Sequence, residues 1–299
     1  DDPQRIAALA DAVGVPTPIA VVDRPEDAAG GADALPVLPL AHTVPLDLGT
    51  LSTATAPAVL AAITEAVSLA MDGRVSGVVT NPIHKAVLQD AGFAHPGHTE
   101  FLAELAGVPR TVMMLASPQL RVVPVTIHMA LAEVPAALTG DAIVETARIV
   151  SAALRRDFAV VNPRLAVAGL NPHAGEDGKM GTEDRDVIAP AIAALRAEGI
   201  NAFGPLSADT MFHQRARDGY DAALCMFHDQ ALIPIKTIAF DEGVNVTLCL
   251  PFVRTSPDHG TALDIAGKGT ARPDSLIAAI RLAAQMSRHR AGATVLETS

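Results

Sequence analysis

Tryptophan is absent from this chain of 299 residues, tyrosine occurs once, and aromatic residues make up 3% of the whole. That excludes a small barrel cored by large rings. The core has to come from the aliphatic part of a 49% hydrophobic composition, which suits layered helices and sheets. Cysteine is scarce too: Cys225 and Cys249 both lie inside apolar runs, too few for a disulfide framework, so buried inert thiols in a reducing cytoplasm are expected. Positive charge is in deficit, with 22 Lys and Arg against 33 Asp and Glu and a net charge of −11. Nucleic acid and anionic membranes are bound through positive surfaces, so neither is an expected partner. No uninterrupted apolar run reaches the roughly 18 residues of a spanning helix, and the opening DDPQRIAAL is expected to carry no leader.

What is present alternates. The length favours two domains. DRPEDAAGGADALPVLPL reads as a connection. PAVLAAITEAVSLAMDG has helical periodicity closed by Gly73 and feeds RVSGVVT, a short β-branched run read as a buried strand. NPIHKAVLQDAG reads as a helix with Asn81 as N-cap, Pro82 at its first position and Gly92 after its last turn. Strands are expected at RTVMML, LRVVPVTIH, RLAVAGL, DAALCMF and VNVTLCLPFV. Helices are expected at GDAIVETARIVSAALRRDF, TEDRDVIAPAIAALRAEG and PDSLIAAIRLAAQMSRHR. This βα rhythm predicts an α/β fold, in which ligands gather beyond the carboxyl ends of strands.

Polar packets fall at those ends. His128 closes VVPVTIH, His173 lies in the loop after RLAVAGL, and His228 follows ALCMF. On neighbouring strands the three imidazoles converge, and three protein ligands leave an open position on a catalytic metal. Each His alone is equally compatible with packing at a strand end. Asp229 and Asp209 either orient such rings or cap helices. Lys85 stands in a first helical turn, against the dipole, as if paired with an anionic group. Lys236, Asn245 and Arg254 fall within one short span, where Lys and Arg together hold a phosphate or carboxylate; surface ion pairs are the plainer alternative. DHGTALDIAGKGTARPD is glycine-rich but lacks G-x-G-x-x-G, so no Rossmann fingerprint is read there.

Taken together, TNPIHKAVLQDAGFAHPGHTEFLAELAG, GLNPHAGEDGKMGTEDRD, GPLSADTMF, MFHDQALIPIK and GVNVTLCLPFVRTSPDHGTALDIAGKG resemble the 4-hydroxythreonine-4-phosphate dehydrogenase family of vitamin B6 biosynthesis. The resemblance runs in order from about Val75 to the last helix. HGTALDIAGKGTARPD is also similar to the adenosine-side loop of isopropylmalate and isocitrate dehydrogenases. Members of the family begin with a strand and a loop like GDPAGIGPE, and this chain is read as starting after that point.

The resemblance implies a two-domain isopropylmalate/isocitrate dehydrogenase-like fold with a cleft between α/β/α domains. Residues 1–99 and 247–299 form the first domain and 100–246 the second. It implies a homodimer with an active site shared across the interface, NAD or NADP as cofactor, and a divalent metal, zinc, magnesium or cobalt. By position the metal ligands fall on His128, His173 and His228, and substrate contacts on His98, Thr99, Lys236, Asn245 and Arg254. Cofactor contacts fall on Gly260, Thr261, Ala262 and Asp264, and proton transfer on Lys85 or Asp229. The implied reaction oxidises 4-phosphohydroxy-L-threonine to a β-keto acid that decarboxylates to 3-amino-2-oxopropyl phosphate. Alternatives are another phosphorylated hydroxy acid, such as a four-carbon sugar acid, a dihydrodiol, or an acyltransferase or binding protein of similar fold.

Overall fold

The computed structural model describes residues 1–28, 33–44 and 46–297, of which 293–297 are described by their backbone alone. The chain divides into two compact units. The first comprises 1–109, 250–252 and 259–273, and the second 110–249, 253–258 and 274–299.

In the first unit, α1 (Pro3–Ala12) starts where Asp2 accepts the Gln4 and Arg5 N–H groups and Pro3 takes the first helical position, where its missing N–H costs nothing. Strands β1 (Ile19–Val21) and β2 (Leu35–Val37) pair in parallel. β2 lies in the segment expected to be only a connection, of which residues 29–32 fall outside the described residues. Helix α2 (Ala56–Met71) precedes β3 (Gly77–Val79), and α3 (Lys85–Asp90) and α4 (His98–Leu105) follow.

Segment Thr53–Met71 is long and apolar enough to cross a membrane by composition. In the fold its Ile63, Val67 and Ala70 instead pack with Val78, Leu102 and Phe252 in one core. Leu102 is fully enclosed, so Leu102→Ala would cost about 2–5 kcal/mol. α3 begins later than the Pro82 signal suggests, because His84 caps it, accepting the Val87 N–H on Nδ1 at 3.4 Å.

The second unit is built on strands in the order β10-β9-β4-β5-β8-β6-β7. These are β4 (Val112–Ala116), β5 (Arg121–Pro124), β6 (Arg164–Ala168), β7 (Asn201–Leu206), β8 (Ala222–Cys225), β9 (Val244–Leu248) and β10 (Val253–Pro257). β5, β8, β6 and β7 run parallel, while β4 is antiparallel to both β5 and β9, and β9 to β10. VNVTLCLPFV does not continue as one strand, because Cys249 takes a φ of 74° and turns the chain. Helices α5 (Val134–Ala137), α6 (Gly140–Phe158), α7 (Ala189–Ala197), α8 (Gln214–Arg217), α9 (His228–Ile238) and α10 (Asp274–Glu297) complete the unit. The sheet residues Leu115, Val122, Ala166, Ala223 and Cys225 pack with Ala231 and Ile235 of α9. Burial pushes the Cys225 thiol up, which keeps it protonated and inert.

The sequence expectation placed all of 247–299 in the first domain, whereas 253–258 and 274–299 cluster with the second unit. Hydrogen bonds to β10 and to the end of α6 hold the last helix there. Thr255 Oγ1 donates to the Ala279 carbonyl at 2.9 Å, and Asp157 at the end of α6 receives Arg290 Nε and Nη2 at 2.9 and 3.0 Å. Residues 100–109 belong with the first unit, because Leu102 and Ala106 are part of its core.

Candidate active site

Strands β5, β8 and β6 are neighbours, and each leads into one of the three histidines. Beyond their formal ends β5 and β8 stay zipped: Val125 N–H reaches the Cys225 carbonyl at 2.8 Å, Thr126 N–H the Met226 carbonyl at 3.2 Å, and Thr126 Oγ1 the same carbonyl at 2.7 Å. Two residues further along each chain the His128 and His228 rings face each other, with centroids 6.0 Å apart. His228 is the first residue of α9, and its Nδ1 lies 2.7 Å from Asp229 Oδ1. A carboxylate on Nδ1 fixes the ring so that Nε2 presents its lone pair, the usual arrangement behind a metal-bound imidazole. Both histidines and Asp229 line a cavity of about 270 Å³. His228, Asp229 and Lys236 also line an adjoining one of about 390 Å³.

His173 does not complete a group with them. Among the described residues no three His, Cys, Asp or Glu side chains gather as a metal site within one chain. In its loop His173, Ala174, Gly175, Glu176 and Asp177 all have left-handed backbone, with φ from 43° to 79°. Four of the five are not glycine, so the turn is held against its intrinsic preference.

Asp184, 2% exposed, does much of the holding: Oδ1 accepts the Leu170 N–H at 2.8 Å, and Oδ2 accepts the Asn171 N–H at 3.1 Å and Asn171 Nδ2 at 2.9 Å. A side chain at Gly169 would put its Cβ 2.6 Å from Asp184 Oδ1, so only glycine lets the loop close over that carboxylate. The Asp209 carboxyl sits below its ordinary range, chiefly because it accepts Ser207 Oγ at 2.5 Å, with burial opposing. Asp209 caps no helix, since α8 begins at Gln214 behind His213.

Lys236 lies on α9 itself rather than on a following loop, because the helix runs through Pro234 to Ile238. Its Nζ is 2.7 Å from Asp258 Oδ2, and Asn245 Nδ2 donates to Asp258 Oδ1 at 3.4 Å. Asp258 thus joins two of the expected substrate residues, a role that sequence reasoning missed; its only signal is its place just after β10, before the glycine-rich loop. Arg254 and Asn245 project from the same face of the β9–β10 pair, by the two-residue alternation of strands. Arg254 is 4% exposed and donates Nη1 to Thr247 Oγ1 at 2.9 Å. Burial lowers its pKa to about 10.

In the first unit, Gly97 is the N-cap of α4, and His98 and Thr99 form its first turn. His98 is 9% exposed. A Cβ on Gly97 would lie 3.3 Å from Lys85 Nζ and 2.9 Å from Glu100 Oε2, so Lys85 and Glu100 crowd the same spot as His98. Of the expected cofactor residues, Gly260 has open space around it, Thr261 precedes Ala262 with its left-handed φ of 46°, and Asp264 lies in the single turn Leu263–Ile265. Gly49 packs closely against this loop, where a Cβ would meet the Leu263 carbonyl at 3.2 Å.

The architecture is shared with solved enzymes. The crystal structure of 4-hydroxythreonine-4-phosphate dehydrogenase from Klebsiella pneumoniae superposes with a TM-score of 0.86 at 37% identity, covering 95% of this chain and 87% of that one. A terephthalate 1,2-cis-dihydrodiol dehydrogenase from Burkholderia xenovorans gives 0.64 at 29% identity over 94% and 86%. The fold is that of an α/β dehydrogenase.

A 4-hydroxythreonine-4-phosphate dehydrogenase of Methylorubrum populi is 60% identical over 298 residues, 97% of this chain and 85% of that protein. The profile described as pyridoxal phosphate biosynthetic protein PdxA matches residues 2–283, and the chain belongs to that family.

Proposed function

We propose that this enzyme oxidises 4-phosphohydroxy-L-threonine with NAD or NADP, giving a β-keto acid that loses carbon dioxide to leave 3-amino-2-oxopropyl phosphate. The observation that carries the reading is the His128–His228 pair, with Asp229 on His228 Nδ1, beside the Lys236–Asp258–Asn245 cluster. Two imidazoles with the right second partner suit a divalent cation such as zinc, cobalt or magnesium. Among the described residues one chain gathers only those two, so the third ligand is assigned to His173 of a second copy in a homodimer. Bound there, the cation would make the substrate hydroxyl more acidic and polarise the carbonyl formed from it.

The chain's own residues do the rest. Lys236 and Arg254 meet the anionic groups of the substrate, the phosphate above all, and Asn245 sets its orientation. His98 and Thr99 hold the other end. Asp229 fixes the His228 ring and, with Lys85, is a candidate to move the hydroxyl proton. The loop carrying Gly260, Thr261, Ala262 and Asp264 receives the dinucleotide, its small residues allowing close backbone approach. The enzyme is expected to work in the cytoplasm, where both its cofactor and its reduced thiols belong.

The test is formation of reduced nicotinamide by purified protein with 4-phosphohydroxy-L-threonine, 4-phosphoerythronate and a cis-dihydrodiol in parallel. Activity with the first alone is expected. Activity confined to either of the others would replace the substrate and keep the reaction class.

A further inference from the structure

The opposite end of the second unit's sheet carries a cavity that shares no lining residue with the histidine site. Its volume is about 370 Å³, and its wall includes Arg121, Phe158, Glu242, Arg281, Leu282 and Gln285. Arg121 opens β5 while His128 lies beyond the other end, so seven residues of extended chain, roughly 20 Å, separate the two places.

Arg121 is charged, partly enclosed and, among the described residues, in no ion pair. Its guanidinium lies 4.9 Å over the Phe158 ring and donates Nη1 to the Asp221 carbonyl at 3.1 Å. The neighbouring Asp221 carboxylate is already held by Arg164, through bonds of 2.7, 3.2 and 3.0 Å. Burial accordingly lowers the pKa of Arg121, with Asp221 only partly offsetting it. A partly enclosed guanidinium with no carboxylate in direct contact is incompletely compensated, and the cavity beside it has room for an anion.

Arg281 lines the same cavity from α10 and makes no hydrogen bond or ion pair among the described residues. Against these two cations stands one carboxylate, Glu242, exposed at the rim. A net positive pocket in a protein of charge −11 is a local arrangement, not a reflection of the whole surface. The Ser117 hydroxyl is not available to a ligand, since it donates to the Leu120 carbonyl and accepts the Gln119 and Leu120 N–H groups. The Gln285 amide adds a neutral polar group to the wall, and Phe158 and Leu282 supply its apolar part.

We propose that this cavity is a second binding site, for a small organic anion whose single carboxylate or phosphate head is held between Arg121 and Arg281 and whose apolar body lies against Phe158 and Leu282. The volume, near the lower limit of small-molecule pockets, limits the body to about one ring.

Calorimetric titration of the full chain with benzoate and with phenyl phosphate tests it. At least one probe is expected to bind wild type and Lys236→Ala alike, the latter removing the cation of the histidine-side cluster. Binding by phenyl phosphate alone assigns a phosphate head, and by benzoate alone a carboxylate. Arg281→Ala, at an exposed position that does not threaten folding, should weaken the probe about tenfold, the worth of one charge-assisted hydrogen bond. Ala278→Leu should block it by filling the cavity. Absence of binding by both probes, or loss in Lys236→Ala with retention in Arg281→Ala and Ala278→Leu, would overturn the proposal.

Discussion

Gln230 and Gly169 are joined by a 2.7 Å hydrogen bond from Gln230 Nε2 to the Gly169 carbonyl, while Oε1 of the same side chain accepts the Met226 N–H at 2.6 Å. One amide therefore ties the end of β8, two residues before His228, to the end of β6, where the His173 loop begins. Gln230→Ala leaves the Met226 N–H without its acceptor in a fully buried residue, at a cost of about 1–3 kcal/mol. Thermal denaturation should show the loss, and kcat/KM should fall with it because the two loops are no longer held at one spacing. An unchanged melting temperature and unchanged kcat/KM would show that the amide is dispensable.

Asp229 holds the His228 ring from within the same cavity wall. Asp229→Ala is expected to reduce metal affinity by about 10–100-fold without unfolding the chain, the usual effect of removing such a partner. Competition against a coloured chelator measures this directly, and His228→Ala supplies the lower bound.

Lys236 and Asp258 make opposite predictions for anions. Lys236→Ala should lower kcat/KM by roughly 10–100-fold, as loss of a charged hydrogen bond of about 1.5–3 kcal/mol. Asp258→Asn keeps an acceptor for Asn245 but frees the lysine charge, so inorganic phosphate should inhibit it more strongly than wild type. Inhibition constants for phosphate in the three proteins decide the matter.

Asp157 gives the stability of the second unit a definite pH dependence. Burial works to raise its carboxyl, but hydrogen bonds from Arg156 and Arg290 outweigh burial and hold it below the ordinary carboxylate range. A carboxyl depressed on folding adds stability that is present above the unfolded value of about 3.9 and is lost as pH falls through the lower folded value. Asp157→Asn should therefore melt earlier at neutral pH, because Arg156 and Arg290 then face a neutral amide in place of the carboxylate. The gap to wild type should close in acid. A gap independent of pH would show that packing, not charge, carries the effect.

The alternation of helix and strand was legible because α2, α6 and α10 keep helical periodicity and β4, β6 and β8 are compact apolar runs. β7 was not among the expected strands: NAFGPL contains Gly204 and Pro205, which disfavour a central strand, and it lies at the end of the strand order, where a missing N–H is tolerated. α9 was not among the expected helices either, and it carries Pro234 in its interior, a residue that ordinarily stops a helix. At the site, the positions of His128 and His228 at strand ends could be read, because strand neighbours carry their ends together. The left-handed course of the His173 loop could not, since it depends on Asp184 overriding four non-glycine residues. Gln230 and Asp258 were passed over because their partners come from fold contacts, Gly169 lying 61 positions away from Gln230.

That a single chain, among its described residues, brings together only His128 and His228 bears on how the enzyme is handled. If the third imidazole comes from a second copy, loading with the cation and pairing of chains are one coupled equilibrium. Dilution should then strip the ion, a strong chelator should yield monomers, and apparent affinity for zinc should climb with enzyme concentration rather than stay constant.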